Sequence, residues 1–340
     1  MRKIKWLIFL LMLAPVFELS AQPPLSRITF FEEDEMITMN LSTDLKKLVT
    51  QKKLDSYQPA TVTCHFPDST VISEEISLTA RGEFRRNNCF IPTMKLDFKN
   101  PTSPKLAPLK KLKLVCGCST GQGDERLVLK EFLVYKMYTL LTDMSFRVRI
   151  LEINYSDSKG KVKSYNQHGF LIEDPDELAK RNKCVKMDKP AFHAEKTNRQ
   201  QMTLVDIFQY MIGNTDWSVP GFHNIKLIAA DSVSVPYAIP YDFDFCGLVN
   251  ANYATPREEL GITSVRERLY RGFPRTISEI ESSLTIFREK RQDIEKLVTG
   301  FELLDQRSRK EMMKYINEFY EIIENKKMVE RVFVNGARRD

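Results

Sequence analysis

Two short segments gather the residue types that phosphoryl transfer requires. Gly213-Asn214-Thr215-Asp216-Trp217 leads to His223-Asn224-Ile225-Lys226-Leu227, and Pro240-Tyr241-Asp242-Phe243-Asp244-Phe245 follows. Asp216 can accept the proton of an attacking hydroxyl and orient it. Asn224 and Asp242, with Asp244 as a second or alternative carboxylate, can offer hard oxygen ligands to Mg²⁺ or Mn²⁺ and so help neutralise phosphate oxygens. The Asp242/Asp244 pair is the more demanding signal, because two carboxylates on one strand face repel unless a cation or hydrogen-bond donors lie between them. The plainer account of Asp216 and Asn224 is that loop Asp and Asn cap helices and build turns. The ordered combination is what points to chemistry.

The elements that must carry these residues can be read from periodicity. An apolar helix over Leu204 to Ile212 stops at Gly213, a favoured C-terminal residue, and presents the loop with Asp216. Two strands, Asn224 to Ala229 and Val235 to Ile239, then bring Asn224 and Asp242 to one edge. Upstream, 61–64, 76–80, 94–98 and 112–115 alternate as strands, with turns at Asn87-Asn88 and Asn100-Pro101. Residues 125–142 form a helix buried on two sides, since Leu129, Leu133, Met137 and Leu140 mark one face and Phe132, Tyr135 and Thr139 another. A hairpin follows over 147–154 and 169–172, and Glu173-Asp174-Pro175-Asp176 breaks the strand and starts a short helix. Two amphipathic helices close the chain. This gives an α+β chain whose first part is rich in strands and whose second is mostly helical, with the boundary near residue 173.

The catalytic segments resemble those of atypical, bacterial-type protein kinases, and most closely the CotH kinase family first described in spore coats. Pro240-Tyr241-Asp242-Phe243-Asp244 fits that family's Pro-aromatic-Asp-x-Asp strand end. Arg81-Gly82 before a basic strand resembles its Arg-Gly motif, and Gly169-Phe170-Leu171-Ile172-Glu173 its segment leading out of the first lobe. Gly213-Asn214-x-Asp216 … Asn224 is similar to the loop of HipA-like kinases. The likeness spans roughly residues 81–250. It implies a two-lobed protein-kinase-like fold, with an N-terminal lobe over 22–172, a C-terminal lobe over 173–340, and ATP with Mg²⁺ or Mn²⁺ in the cleft. It also implies Asp216 as the base, Asn224, Asp242 and Asp244 as metal ligands, and Lys95 or Lys113 as the nucleotide-binding lysine. Glu131 would pair with that lysine, and Ile172 and Glu173 would border the adenine through backbone groups. The chain departs from the pattern in two places. Seven residues separate Asp216 from Asn224, against four in ordinary protein kinases, and there is no Gly-rich phosphate loop, Gly121-x-Gly123 being too short.

Composition bounds these readings. The chain has 340 residues, 42% hydrophobic and 28% charged, which excludes wholesale disorder, and a net charge of +6 without the clustered basic and aromatic residues of a nucleic-acid binder. Residues 1–21 read as a secretory signal: Arg2, Lys3 and Lys5, then the apolar run Trp6 to Phe17, then Ser20-Ala21. The alternative is an uncleaved anchor; no later stretch is apolar enough to span a bilayer. Export to the periplasm or medium favours disulfides among the six cysteines, with one bridge expected and the other cysteines free or buried. One bridge is expected from Cys89 to either Cys116 or Cys118, against a metal-binding reading of Cys116-Gly117-Cys118. Arg81, Arg85 and Arg86 form a basic cluster around Gly82 that either holds phosphates or an acidic partner, or is a solvated turn. Arg266, Arg268 and Arg271 either line the cleft mouth or bind substrate, or belong to a solvated charged stretch. Three functions remain: an exported kinase-like phosphotransferase acting on a hydroxyl, perhaps of a protein; a non-catalytic binding protein on the same scaffold; and a metal-dependent phosphoesterase using the same carboxylates.

Overall fold

The structure is a computed structural model that describes residues 27–99, 101–106, 109–188 and 193–338. The expected signal, residues 1–21, and Asn100 of the expected Asn100-Pro101 turn lie outside the described residues. The chain opens with α1 (Arg27–Glu32), β1 (Ile37–Thr43), α2 (Leu45–Thr50), β2 (Gln58–His65), β3 (Val71–Arg81), α3 (Glu83–Asn88), β4 (Thr93–Asp97) and β5 (Lys111–Val115). The long helix α4 (Gln122–Leu141) precedes β6 (Val148–Asp157), β7 (Tyr165–Ile172) and α5 (Pro175–Arg181). Then come β8 (Val185–Met187), α6 (Arg199–Ile212), β9 (Ile225–Ala229), β10 (Tyr237–Pro240), α7 (Ile277–Thr299), α8 (Gln306–Glu324) and α9 (Lys326–Val329). The α+β composition is as expected.

Seven strands close into a barrel in the order β1-β2-β3-β4-β5-β7-β6. Closure comes from parallel pairing of β1 with β6, Ile37 opposite Leu151 through Thr43 opposite Asp157; the other pairings are antiparallel. Period-two side chains fill the interior: Ile37, Met39 and Leu41 from β1, Met94 and Leu96 from β4, Leu112 and Leu114 from β5, Leu151 and Ile153 from β6. The outward residues Val115, Val148, Ile150, Phe170 and Ile172 are apolar too, and they pack against α4. Strand β1 and helix α3 go beyond the elements read from the sequence, and Asn87 and Asn88 end a helix instead of forming a turn.

Helix α4 is buried almost all round from Val128 to Leu141. It therefore joins the larger core, with α6, α7, α8 and the three-stranded antiparallel sheet β10-β9-β8. The hydrophobic division of the molecule accordingly does not follow chain order at residue 173: the barrel interior forms one core, and α4 with the C-terminal half forms the other. Among the described residues, no helix is long and apolar enough to cross a membrane. Cys89 is bonded to Cys118, the second of the two expected partners, and Cys64, Cys116, Cys184 and Cys246 are free.

Candidate functional site

The loop that carries Asp216 is shaped by its flanks. Gly213 ends α6 at φ 66°, and a Cβ there would lie 2.1 Å from the Tyr315 hydroxyl, so only glycine fits. The Asn214 amide donates to Gln209 Oε1 at 3.0 Å, and its Oδ1 accepts from the Asp216 N–H at 3.0 Å. Arg271 Nη1 donates to the carbonyls of Thr215 and Trp217 at 2.5 and 2.9 Å, gripping the residue on either side of Asp216. The Asp216 carboxylate then meets His223 Nε2 through Oδ1 at 2.8 Å and accepts from Asn224 Nδ2 through Oδ2 at 3.0 Å. Arg257 lies 3.7 Å away. His223 is therefore an orienting partner of Asp216.

Asn224 and Asp242 both sit in the left-handed region, at φ 54° and 63°, which is unfavourable for residues with a Cβ. Strand pairing holds them side by side: Ile225 is opposite Pro240, and the Tyr241 N–H donates to the Asn224 carbonyl at 3.0 Å. The Asp242 N–H donates to the Tyr135 hydroxyl of α4 at 2.8 Å. Neither the Asp242 carboxylate nor Asn224 Oδ1 is engaged by a hydrogen bond or ion pair from the described residues. Two oxygen donors thus stay uncommitted. That suits a hard divalent cation that takes its other ligands from phosphate and water. No group of three or more His, Cys, Asp or Glu side chains among the described residues forms a metal site by itself.

Asp244 is placed differently from the expectation. Its Oδ2 accepts from Arg85 Nη2 at 3.2 Å and from the Tyr253 hydroxyl at 3.1 Å, so the guanidinium neutralises it and a metal has less to gain there. Burial raises its pKa to about 6, with Asp242 adding and Arg85 opposing. Glu131 is 1% exposed and also lies near Arg85, at 3.8 Å; its partner is this arginine from α3 and neither Lys95 nor Lys113. Burial, then Asp244 and Asp242, push the Glu131 pKa well above the usual carboxylate range.

Lys95 and Lys113 are directly opposite each other on β4 and β5, an unfavourable like-charge pairing for an isolated sheet. Arg81, at the end of β3, and Lys226, on β9, contribute to the same positive field. Lys113 lies 4.5 Å and Lys226 5.5 Å from the centre of the Tyr241 ring. None of the four forms an ion pair with a described residue. Burial first, then Arg81, Lys226 and Lys95, lower the Lys113 pKa to about 7, with Asp242 opposing.

Ile172 and Glu173 do not line the cleft. Ile172 is held in the ladder between Lys113 and Val148. The Glu173 N–H donates to the Arg147 carbonyl at 3.0 Å, and its buried carboxylate is clasped by Arg181 at 3.0 and 3.1 Å, which makes it an anchor for α5. The charged stretch after residue 260 also differs from a solvated one. Arg266 donates to the Gly247 carbonyl, Arg268 stacks 3.6 Å over Tyr315 and bonds Met211, and Arg271 holds the Asp216 loop. The sequence places Tyr135 on a buried face of the long helix without giving it a role at the site, and nothing in the local pattern of Tyr253 and Arg257 marks them.

A cleft of about 610 Å³ between the barrel and the C-terminal half is lined among others by Arg81, Arg85, Glu131, Asp216, Asn224 and Asp242; Lys95, Lys113 and Lys226 are not among its lining residues. No protein-family model matches the chain, and no curated protein matches it significantly.

Proposed function

We propose that the protein is an exported, kinase-like phosphotransferase that binds a nucleoside triphosphate with Mg²⁺ or Mn²⁺ and passes its terminal phosphoryl group to a hydroxyl, on a protein or another acceptor. One observation carries the reading: the uncommitted oxygens of Asn224 and Asp242 share the cleft with Arg81, and Lys113, which interacts with Asp242, lies in a basic group with Arg81, Lys95 and Lys226, none of them in an ion pair with a described residue. A metal–polyphosphate supplies both missing charges at once, anionic oxygens for the cations and a cation for the oxygens. A strand-built barrel, one long helix and a mainly helical second half with a cleft between them also support a two-lobed kinase-like arrangement, although a closed seven-stranded barrel is larger than an ordinary kinase N-lobe.

In this reading Lys113 and Lys95 bind phosphate oxygens, and Asn224 and Asp242 hold the divalent cation. When bound, that cation neutralises charge on the phosphate oxygens. Asp216 orients the acceptor hydroxyl and takes its proton, with His223 fixing one carboxylate oxygen. Arg271 keeps the loop in register through the Thr215 and Trp217 carbonyls. Because Asp244 and Glu131 are committed to Arg85, they preorganise the floor of the cleft and leave the ligand to Asp242.

A second reading has one observation in its favour. Both Asp216 oxygens already have protein partners, His223 and Asn224, which suits a binding protein that does not turn over. The test is a thermal shift of the purified protein with ATP, with and without Mg²⁺ or Mn²⁺, beside Asp242→Asn, followed by a transfer assay. Metal-dependent stabilisation that is lost in Asp242→Asn supports the cleft. Transfer that falls about 10²–10⁴-fold in Asp216→Ala, with binding retained, supports the phosphotransferase over the binding protein. Phosphate release without transfer points to a phosphoesterase. No shift at millimolar ATP in folded protein refutes the polyphosphate reading.

A further inference from the structure

The Arg85 guanidinium reaches the Cys116 carbonyl and the carboxyl groups of Asp244 and Glu131. It is 8% exposed. Its Nη1 donates to the Cys116 carbonyl at 2.8 Å, and its Nη2 donates to Asp244 at 3.2 Å and to the Tyr253 hydroxyl at 3.3 Å and lies 3.8 Å from Glu131. It thereby joins α3, the end of β5, the long helix α4 and the segment after β10. Removing one cation from a buried group of carboxylates leaves uncompensated charge, and the group must rearrange or take up protons. Asp242 is two residues from Asp244, so that rearrangement reaches the cation-holding position.

The helix that carries Arg85 has little of its own to hold it. Helix α3 has six residues, and Gly82 provides no side-chain cap. Its C-cap is Cys89, whose N–H donates to the Arg85 carbonyl at 3.0 Å and whose sulfur is bonded to Cys118. The Ile91 N–H donates to the Cys118 carbonyl at 2.9 Å. Cys118 is two residues beyond Cys116, which supplies the carbonyl that Arg85 holds. The bridge therefore ties together the helix that presents the guanidinium and the strand end that receives it.

We propose that Arg85 is the positioning residue of the cleft and that the Cys89–Cys118 disulfide keeps it seated, so that metal–polyphosphate affinity depends on the bridge. This rests on the reading of the cleft as a metal–polyphosphate site. Reduction requires a dithiol. Its thiolate attacks the partly exposed Cys118 sulfur, the Cys89 sulfur leaves and is protonated, and the second thiol of the reductant displaces Cys118. Two electrons and two protons pass to the protein, and the reductant becomes a disulfide. Cys116 does not take over the bridge, because burial pushes its thiol up to about 11 and keeps it protonated.

The experiment measures Mn²⁺-ATP affinity of the purified protein, oxidised and after dithiothreitol, in wild type, Arg85→Ala and Arg85→Lys. The expected result is an affinity loss of about tenfold or more on reduction of wild type, no further loss on reduction of Arg85→Ala, and partial rescue in oxidised Arg85→Lys. Equal affinity in oxidised and reduced wild type overturns the proposal, as does an equal loss in wild type and Arg85→Ala. If oxidised wild type binds neither Mn²⁺ nor ATP, the polyphosphate reading fails by itself. The clamp is then judged from amide hydrogen exchange over residues 83–89: faster exchange both on reduction and in Arg85→Lys supports it, and unchanged exchange overturns it.

Discussion

Lys113 gives the cleft a proton ledger that can be measured. In the free protein, burial and then Arg81 lower its pKa from 10.5 to about 7, Asp242 opposes, and Lys226 and Lys95 add to the depression. At pH 8 such a lysine is only about 10% protonated. A bound polyphosphate brings several negative charges to the ammonium and returns it toward its ordinary range. Binding at pH 8 therefore takes up about 0.9 proton, and binding at pH 7 about 0.5. The terminal phosphate of the nucleotide, with a second pKa near 6, contributes little at pH 8. Charging the lysine costs about 1.4 kcal/mol per pH unit above its free pKa, so the dissociation constant weakens roughly tenfold per unit between about pH 8 and pH 10. Calorimetry of ATP binding in two pH 8 buffers with different ionisation enthalpies reads the uptake directly. Lys113→Met loses both the uptake and the pH slope. An uptake below about 0.3 proton in binding-competent wild type, or one that survives in Lys113→Met, refutes the reasoning. The same linkage acts on the free protein. The unfolded chain binds the Lys113 proton up to about pH 10.5 and the folded chain only up to about 7, so this residue makes the fold more stable as pH rises between those values.

Arg271→Ala removes the two hydrogen bonds that bracket Asp216. Under the proposed phosphotransferase function it is expected to lower turnover about 10- to 100-fold while changing Mn²⁺-ATP affinity less than threefold, as separate turnover and binding assays would show. Asp206 is buried on α6 with neither carboxylate oxygen hydrogen-bonded among the described residues, and burial raises its pKa to about 7, with Arg275 and Arg338 opposing. A raised acid is ionised in the unfolded chain from about pH 4 but in the fold only above about 7, so stability falls across that window. Asp206→Asn then gains up to about 4 kcal/mol over wild type at pH 8 and little at pH 4, which melting curves at the two pH values would reveal.

How much of this was legible follows from the range of each interaction. The Asp216 loop and the Asp242 strand end are local and strongly punctuated: Gly213 stops a helix and Pro240 closes a strand. Export favours disulfides without choosing among the pairings; the expected bridge from Cys89 leaves two partners, and the choice of Cys118 depends on how the end of β5 sits against α3. The choice between Lys95 and Lys113 is open in the sequence because they are cross-strand neighbours, a fact of register; the structure adds a charge interaction between Lys113 and Asp242. Arg85 was seen only as part of a basic cluster, since its carboxylate partner Asp244 lies 159 residues away. Barrel closure has the same cause. Strand β1 is not among the elements read from the sequence, although Ile37, Met39 and Leu41 alternate, and the partner that closes the barrel, β6, is set by tertiary packing. Glu173 misled because an acid at the end of a strand resembles a kinase hinge, while its actual partner, Arg181, sits on the helix that follows.

The backbone at Asp242 separates a ligand-holding role from a structural one. A left-handed φ of 63° costs a residue with a Cβ about 1 kcal/mol or more, and the position adds a third carboxylate beside Glu131 and Asp244. Nothing among the described residues bonds its carboxylate in return. A purely structural residue here would be better as glycine, which adopts this φ freely and carries no charge. Asp242→Gly is therefore expected to leave the free protein as stable as wild type or up to about 1 kcal/mol more stable, after the extra chain entropy that glycine gives the unfolded state. It also abolishes stabilisation by Mn²⁺-ATP. Chemical denaturation of both proteins, with and without Mn²⁺-ATP, makes the comparison. A loss of more than about 1 kcal/mol in the free variant would mean that Asp242 holds the fold together, and the strain would then need no ligand to account for it.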